Sequence, residues 1–246
     1  MAGDFCGAWL KLERAKHHIN DLYAKGQVFG NTHPHRLSIE IDTESGDDAL
    51  SIAPAEQFPD EFLAILGDAI HNLRSALDHA WFQSVTSDPD HRNFPVKKTR
   101  DDLKASINGL KENASEEVKR FIVDVIQPYE GGDGEILLGL HSLDIEDKHR
   151  LLIAYRQFAV IRGLSAVDDR DVQFPIGDWL IVHPHTATRT FEGHRKFKIT
   201  NYGSAVTRVT FGEGSVLKGH AFMPTFQRLT NIVERVVRGL ESVVCG

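Results

Sequence analysis

The sequence predicts an α+β protein in which a helical bundle carries an antiparallel β element at about residues 155–211 and a small N-terminal β-hairpin. The stretch 155–215 is rich in Gly, Thr, Val and aromatic residues and contains polar–apolar alternation, which is typical of strands. No internal repeat or low-complexity linker divides the 246 residues, so we expect a single domain over 1–246. Apolar residues recur at helical spacing in the predicted helical part, residues 8–25, 58–153 and 221–244.

The composition is that of an ordinary globular protein, with 41% hydrophobic and 26% charged residues. No run of about 18 apolar residues exists, so we expect no membrane span. The N-terminus lacks the basic start and apolar stretch of a secretion signal, which favours a cytoplasmic protein. The net charge of −7 argues against an extended DNA-binding surface. Cys6 and Cys245 lack a CxxC neighbour, which excludes a zinc finger and favours free thiols.

The N-terminal third predicts one helix followed by the hairpin. Apolar residues of Ala8–Lys25 recur at helical spacing, and Gly26 ends the pattern. Arg36–Ile41 alternates like a strand. Glu44–Asp48 is typical of a turn, and Leu50–Ala53 is predicted to be the short returning strand.

The strongest helical pattern follows Pro59 and runs to about Val85. Its apolar face is expected in the core and includes Leu66, Ile70, Leu73, Leu77 and Trp81. Four or five antiparallel strands are predicted in the β element. The remaining predicted helices are Arg100–Ile107, Ser115–Gln127, Glu135–Ile153 and Ala221–Val244.

The opposite face of the helix after Pro59 is polar. Solvated helix faces usually carry Lys and Glu, yet neither occurs from Phe62 to Val96. We therefore predict that this face lines a buried groove or an interface. The alternative is a solvated face on which Arg74 and Asp78 form an ordinary i,i+4 salt bridge. The polar residues form two neighbouring rows, Asp68, Asn72, Ser75 and His79 in one and His71, Arg74 and Asp78 in the other.

Residues Arg74 to His79 form an R-x4-H motif. The motif resembles the signature of HEPN domains, helical bundles that include many metal-independent ribonucleases. The resemblance implies an RNA substrate, no cofactor, and a homodimer in which two motifs face each other. Its catalytic set would be Arg74, His79, Asp78 and Asn72. The chain also resembles a group of bacterial and phage proteins without known function, through GDAIHNLRSALDH (67–79), LHSLDIEDKHRLL (140–152) and LERAKHHINDL (12–22).

Metal-independent RNA cleavage needs a base for the 2′-hydroxyl, an acid for the leaving 5′-oxygen and a cation for the transition state. The imidazole of His79 can act as base or acid near neutral pH. The guanidinium of Arg74 can hold a phosphate through two hydrogen bonds. One imidazole does not conveniently perform both proton transfers, so a site shared by two chains fits the motif.

A second cluster of titratable residues follows at 141–150, and one interpretation is a surface ion cluster. The other is that the cluster packs against the R-x4-H helix, so that Asp144 or Asp147 orients a histidine. Lys148 and Arg150 would then attract a phosphate. The members of the cluster are His141, Asp144, Asp147, Lys148, His149 and Arg150.

His71 and Ser75 are further supporting candidates for this shared site. A metal site is the remaining alternative, although no spacing such as HExxH is present. The two His-Pro-His tripeptides, 33–35 and 183–185, are interpreted as loops with surface histidines. The metal ligands, if any, would be His71, His141, Asp144 and His149.

The β element also carries basic residues interleaved with Phe191 and Phe197, namely Arg189, Arg195, Lys196 and Lys198. This pattern is better explained by an ordinary strand than by a surface for single-stranded nucleic acid.

Three functions therefore stay open. The first is a metal-independent ribonuclease that uses His79 and Arg74. The second is a non-enzymatic dimeric binding or regulatory module of phage or defence origin. The third is a metal-dependent hydrolase that uses the His/Asp cluster.

Overall fold

The computed structural model describes residues 4–31, 35–54, 56–85, 93–150, 154–182 and 184–246, with the backbone alone for residues 30, 31, 149 and 150. The described residues form six α-helices and two three-stranded antiparallel sheets, so the protein is α+β. The predicted helical bundle is wrong, because the chain combines its helices with two three-stranded antiparallel sheets. The predicted small N-terminal hairpin is also wrong, because the N-terminal region is a helix of 26 residues and the strands after it belong to a larger sheet.

The chain divides into two compact units that are built from separate stretches of sequence. Unit 1 comprises Met1–Tyr23, Asp60–Ala154 and Gly212–Gly246. Unit 2 comprises Ala24–Pro59 and Tyr155–Phe211. The organisation of residues 1–246 as a single domain stays a prediction. Within the described ranges, no helix combines the length and apolarity that crossing a membrane requires.

Unit 1 is helical, and α2 is its central element because it packs against both α5 and α6. The predicted core face of α2 is confirmed, since Leu66, Ile70, Leu73, Leu77 and Trp81 are all buried. The helices are α1 (Cys6–Asn31, whose last residues belong to unit 2), α2 (Asp60–Ser84), α3 (Arg100–Asn108), α4 (Glu116–Arg120), α5 (Ile136–Arg150) and α6 (Phe222–Cys245).

The short helices begin at side-chain caps. The hydroxyl of Thr99 accepts a hydrogen bond from the Asp102 amide at the start of α3. The hydroxyl of Ser115 accepts one from the Val118 amide at 3.3 Å at the start of α4. Such caps satisfy backbone donors that have no partner within the helix.

α4 continues directly into a π-helical turn, Phe121–Ile126. Gln127 ends the turn in the left-handed conformation, with φ at 56°. The ring of Phe121 lies where a Cβ on Gly239 of α6 would stand, so the glycine makes room for the aromatic ring.

Unit 2 contains both sheets. The first has the strand order β1-β2-β5, and the second has the order β4-β3-β6. One apolar core joins side chains of the two sheets, including Leu50, Ile52, Ile161 and Trp179. The strands are β1 (His35–Ile41), β2 (Asp48–Pro54), β3 (Tyr155–Asp168), β4 (Gln173–Val182), β5 (Ala187–Thr190) and β6 (Phe197–Phe211).

The predicted β element is therefore divided between the sheets. β5 pairs with β2, with Ala49 opposite Thr190. β6 is one strand of 15 residues that passes through Gly203 at a φ of 64°. A Cβ at residue 203 would collide with the carbonyl of Arg162, so this position requires glycine for its conformation and for its space.

Candidate functional site

The polar faces of α2 and α5 meet at a close approach of the two helices in unit 1. A Cβ at Gly67 of α2 would overlap the carboxylate of Asp147 on α5. The absence of a side chain at residue 67 thus lets α5 bring its acidic residues to the polar rows of α2. The second cluster therefore packs against the R-x4-H helix, as the sequence predicts.

His71 and Asp144 form the central contact between the two helices. The Nδ1 atom of His71 lies 3.2 Å from Oδ1 of Asp144, and the Nζ atom of Lys148 donates to Oδ2 at 2.6 Å. Asp144 is buried with 4% of its surface exposed, whereas 49% of the His71 side chain is exposed. The pair therefore joins a buried carboxylate to an imidazole that solvent can reach.

This geometry fixes the proton arrangement of the imidazole. An ionised carboxylate only accepts hydrogen bonds, so His71 donates from Nδ1 and its Nε2 atom carries the lone pair when the ring is neutral. The hydroxyl of Ser75, one helical turn along α2, lies 3.5 Å from that Nε2. Carboxylate, imidazole and hydroxyl thus follow one another in the order that proton-transfer sites use.

Arg74 is buried instead of facing a substrate surface, with 5% of its area exposed. Its Nη2 donates to Oδ1 of Asp78 and to the carbonyl of Phe94, both at 2.8 Å. The Phe94 amide donates to the same carboxylate oxygen at 2.7 Å. Burial raises the pKa of Asp78 above its ordinary value, although Arg74 and the Phe94 amide act in the opposite direction. The Arg74–Asp78 pair therefore anchors the segment that follows α2.

His79 lies on a different side of α2. It is exposed, and a Cβ on Gly7 of α1 would approach its Nδ1 to 3.1 Å. The structure thus places the two ends of the R-x4-H motif in separate surroundings, Arg74 at the Phe94 segment and His79 at α1. Five residues on a helix amount to about 140° of rotation beyond a full turn, which accounts for the separation.

The predicted contact in which Asp144 or Asp147 orients a histidine involves neither end of the R-x4-H motif among the described contacts, and a contact of either end with a second copy of the chain stays a prediction. It is His71 that makes the contact with Asp144. Asn72 is buried, and its Nδ2 donates to the carbonyl of Asp68 at 2.8 Å within α2. Its role in the described structure is therefore local to the helix.

The remaining members of the second cluster differ in their surroundings. Burial first, and then the charge of Arg74, lower the pKa of His141, while Asp144 and Asp78 act in the opposite direction. Burial, followed by the charges of Asp144 and Asp68, raises the pKa of Asp147. The side chains of His149 and Arg150 lie outside the described residues, as do His33, Pro34 and His183.

The described side chains include no group of three His, Cys, Asp or Glu residues arranged to hold a metal ion. His71 and Asp144 instead bond to each other, and Asp144 takes Lys148 as its second partner. Among the described residues, His71, His141 and Asp144 form no such group, and the predicted set that also includes His149 stays a prediction.

The basic and aromatic residues of unit 2 serve the fold. Phe174 and Phe197 are buried, and the ring of His194 stacks on Phe174 at 3.8 Å. Asp168, which the sequence reasoning missed, is buried and accepts hydrogen bonds from Arg170 and His194. Desolvation by burial raises the pKa of Asp168, but these hydrogen bonds outweigh it and hold the pKa well below its usual range. The buried ring of Phe197 offers no stacking surface for bases, in agreement with the ordinary-strand interpretation for this residue.

The sequence predicts His71 and Asp144 as supporting residues and Asp144 or Asp147 as a carboxylate that orients a histidine, but it does not identify His71 as that histidine. Their pairing depends on how two helices cross, which no local pattern states. No signal in the sequence indicated Phe94, which binds Arg74 and Asp78 in the segment after α2. No family model matches the chain, and neither a curated protein nor a solved structure matches it.

Proposed function

We propose that unit 1 cleaves RNA without a metal ion, with His71 in the catalytic role that the R-x4-H motif would give to His79. The observation that carries the proposal is the contact of the exposed His71 with the buried Asp144. A carboxylate behind an imidazole fixes its orientation and stabilises the imidazolium that forms when it takes a proton. The proposal retains the resemblance to HEPN ribonucleases and changes the histidine.

In the proposed reaction, Nε2 of His71 removes the proton of a ribose 2′-hydroxyl. The 2′-oxygen attacks the adjacent phosphorus, and the bond from phosphorus to the 5′-oxygen breaks to leave a 2′,3′-cyclic phosphate. The leaving oxygen takes a proton from a second imidazole that is in its protonated form, which a homodimer would supply through His71 of the partner subunit. Lys148, half exposed beside Asp144, provides positive charge for the phosphate.

The experiment measures cleavage of a mixed RNA substrate in the presence of a chelator and identifies the cyclic phosphate product. His71→Ala should lower the rate by at least about 10²-fold, the usual effect of losing a general acid or base. His220→Ala, which removes an exposed histidine elsewhere in unit 1, is the matched control and should leave the rate unchanged. Asp144→Asn should lower the rate and move the pH profile, because the imidazole loses its carboxylate.

His79→Ala decides between the two histidines. We expect it to retain most of the activity, whereas loss with His79→Ala and retention with His71→Ala would return the role to the R-x4-H motif. Equal activity of both variants and the wild type would contradict a site on α2.

A second candidate is a non-enzymatic dimeric binding module. The observation that favours it is the burial of Arg74, because a guanidinium that stabilises the transition state of RNA cleavage has to reach the phosphate of an RNA strand. If the wild type cleaves no RNA, the oligomeric state becomes the test, measured by light scattering. A dimer that dissociates when Lys148→Ala is introduced would support this module, and a monomeric wild type would contradict it.

A further inference from the structure

A cavity of about 280 Å³ opens in unit 1 on the Arg74 side of α2. Its walls come from α2, α3, α5 and the segment Asn93–Lys97. This segment is fixed at two points, since Phe94 bonds to Asp78 and Arg74, and the Lys97 amide donates to the carbonyl of Pro128 at 3.1 Å. The cavity is therefore bounded by backbone held in place from two directions.

We infer that this cavity binds a small oxyanion of the phosphate class. Arg74, Lys97, Ser106 and His141 contribute to its lining, and the described lining residues include no carboxylate. A guanidinium, an ammonium group, a hydroxyl and an imidazole form a donor set that suits a tetrahedral anion.

Arg74 retains donors for such a ligand. Both of its described hydrogen bonds, to Asp78 and to Phe94, come from Nη2. A guanidinium has three nitrogen atoms with five N–H donors. The bonds that anchor the Phe94 segment also hold the guanidinium in one orientation, so its geometry is set before a ligand arrives.

His141 supplies a second, independent observation. Its Nδ1 atom is buried and has no hydrogen-bond partner among the described residues. Buried polar atoms in proteins nearly always have a partner, so this nitrogen, on a ring that lines the cavity, is a polar group that the described contacts leave unused. An oxyanion in the cavity would accept a hydrogen bond from this ring.

The charges around His141 make binding depend on pH. The charges of Arg74 and Asp78 on α2 influence its pKa, as do those of Asp144 and Lys148 on its own helix. Lys97 lines the same cavity. Burial and Arg74 lower the pKa of His141, so the ring is neutral at pH 8. A bound anion favours the imidazolium, so we expect the affinity to rise as the pH falls.

The volume limits the ligand to a small one. Pockets for drug-sized molecules range from about 300 to 1,000 Å³. The cavity therefore suits a single phosphate group, either free inorganic phosphate or the terminal phosphate of a small monoester. This inference goes beyond the proposed function and does not depend on RNA cleavage.

The test is isothermal titration calorimetry of the full chain at constant ionic strength. Inorganic phosphate and ribose 5-phosphate distinguish the two sources, and the tighter ligand identifies which one the cavity takes. Lys97→Gln should weaken binding about tenfold through loss of one charge-assisted contact. Lys98→Gln is the matched control, because Lys98 is next to Lys97 in sequence but lines a different cavity. This substitution should leave the affinity unchanged.

Sulfate is the probe for the pH dependence, because its charge stays constant between pH 6 and pH 8. The wild type should bind sulfate more tightly at pH 6 than at pH 8, and His141→Gln should remove that difference. Absence of saturable binding of both phosphate probes, or equal losses in the Lys97→Gln and Lys98→Gln variants, would overturn the inference. His71→Ala should retain phosphate binding, so a failure of the proposed ribonuclease activity is distinguishable from a failure of this site.

Discussion

Asp147 shows how the close approach of α2 and α5 concentrates negative charge. Its carboxylate lies over Gly67, and Asp144 and Asp68 are near enough to raise its pKa together with burial. A carboxyl group whose pKa is raised by folding takes up its proton at higher pH in the folded chain than in the unfolded chain. Its ionised form therefore opposes folding above the raised pKa.

Asp147→Asn should consequently stabilise the protein at neutral pH, by roughly 0.5 kcal/mol for a partly exposed group. The gain should fade as the pH falls toward the ordinary value of 3.8, because both states then carry a protonated carboxyl. The measurement is the free energy of unfolding in urea at several pH values.

Asp133→Asn, at an exposed position outside the α2–α5 contact, is the control and should change little. A loss of stability with Asp147→Asn at neutral pH would show that the carboxylate makes a favourable contact.

At single positions, the sequence predicted the residue types of the site better than their roles. Arg74, His71 and Asp144 all belong to the predicted set, yet Arg74 uses its Nη2 atom to bind the Phe94 carbonyl and Asp78. That role depends on where the segment after α2 returns, a contact across 20 residues that helical periodicity does not contain. Local spacing gives the side of a helix on which a residue lies, and only the fold gives its partner.

At the scale of elements, α2 was the part best predicted, because its apolar residues follow one helical face over many turns. The strands were harder. β5 has four residues and pairs with β2 across the chain, so its sheet is decided by a long-range contact that its own pattern lacks. The alternation of Arg36–Ile41 predicted β1, and Leu50–Ala53 was predicted as the strand that returns beside it, but no pattern near these residues indicated the third strand of their sheet.

Leu73 tests the core face of α2. The side chain is fully buried, so Leu73→Ala should lower the free energy of unfolding by about 2–5 kcal/mol through lost burial and a residual cavity. Chemical denaturation monitored by circular dichroism measures the change. Leu10→Ala in α1, where the leucine is 66% exposed, is the control and should stay within about 0.5 kcal/mol. A similar shift for both variants would contradict the assigned face.

For the whole molecule, the main feature is that neither unit is continuous in sequence. Unit 1 takes its last stretch, Gly212–Gly246, from beyond all the strands of unit 2. The sequence showed a change in residue composition and periodicity where the helical part gives way to the β element. It could not show that separated stretches of the chain pack into one compact unit. That closure follows from burial of complementary apolar faces, which is a property of pairs of elements.

A chain that stops after Phe211 should therefore fail to fold unit 1, because it lacks α6 and the apolar face that packs on α2 and α5. We expect loss of cooperative unfolding, together with a fall in helical circular dichroism larger than the removal of α6 alone explains. A chain that stops after Val244 lacks the exposed Cys245 and Gly246 and should unfold like the full chain. Cooperative unfolding of the chain that stops after Phe211 would contradict the dependence of unit 1 on α6.

The π-helical turn Phe121–Ile126 has a consequence for the direction in which its neighbours face. Val118, Ile122 and Ile126 are buried at intervals of four residues. In an α-helix each four-residue step overshoots a full turn by about 40°, so a run of such steps spirals away from its partner. In the wider π turn a four-residue step falls short of a full turn instead. The step from Ile122 to Ile126 therefore returns Ile126 toward the direction of Val118. Deleting one residue from Phe121–Ile126 would therefore change the direction in which the buried side chains point, as well as the length of the segment.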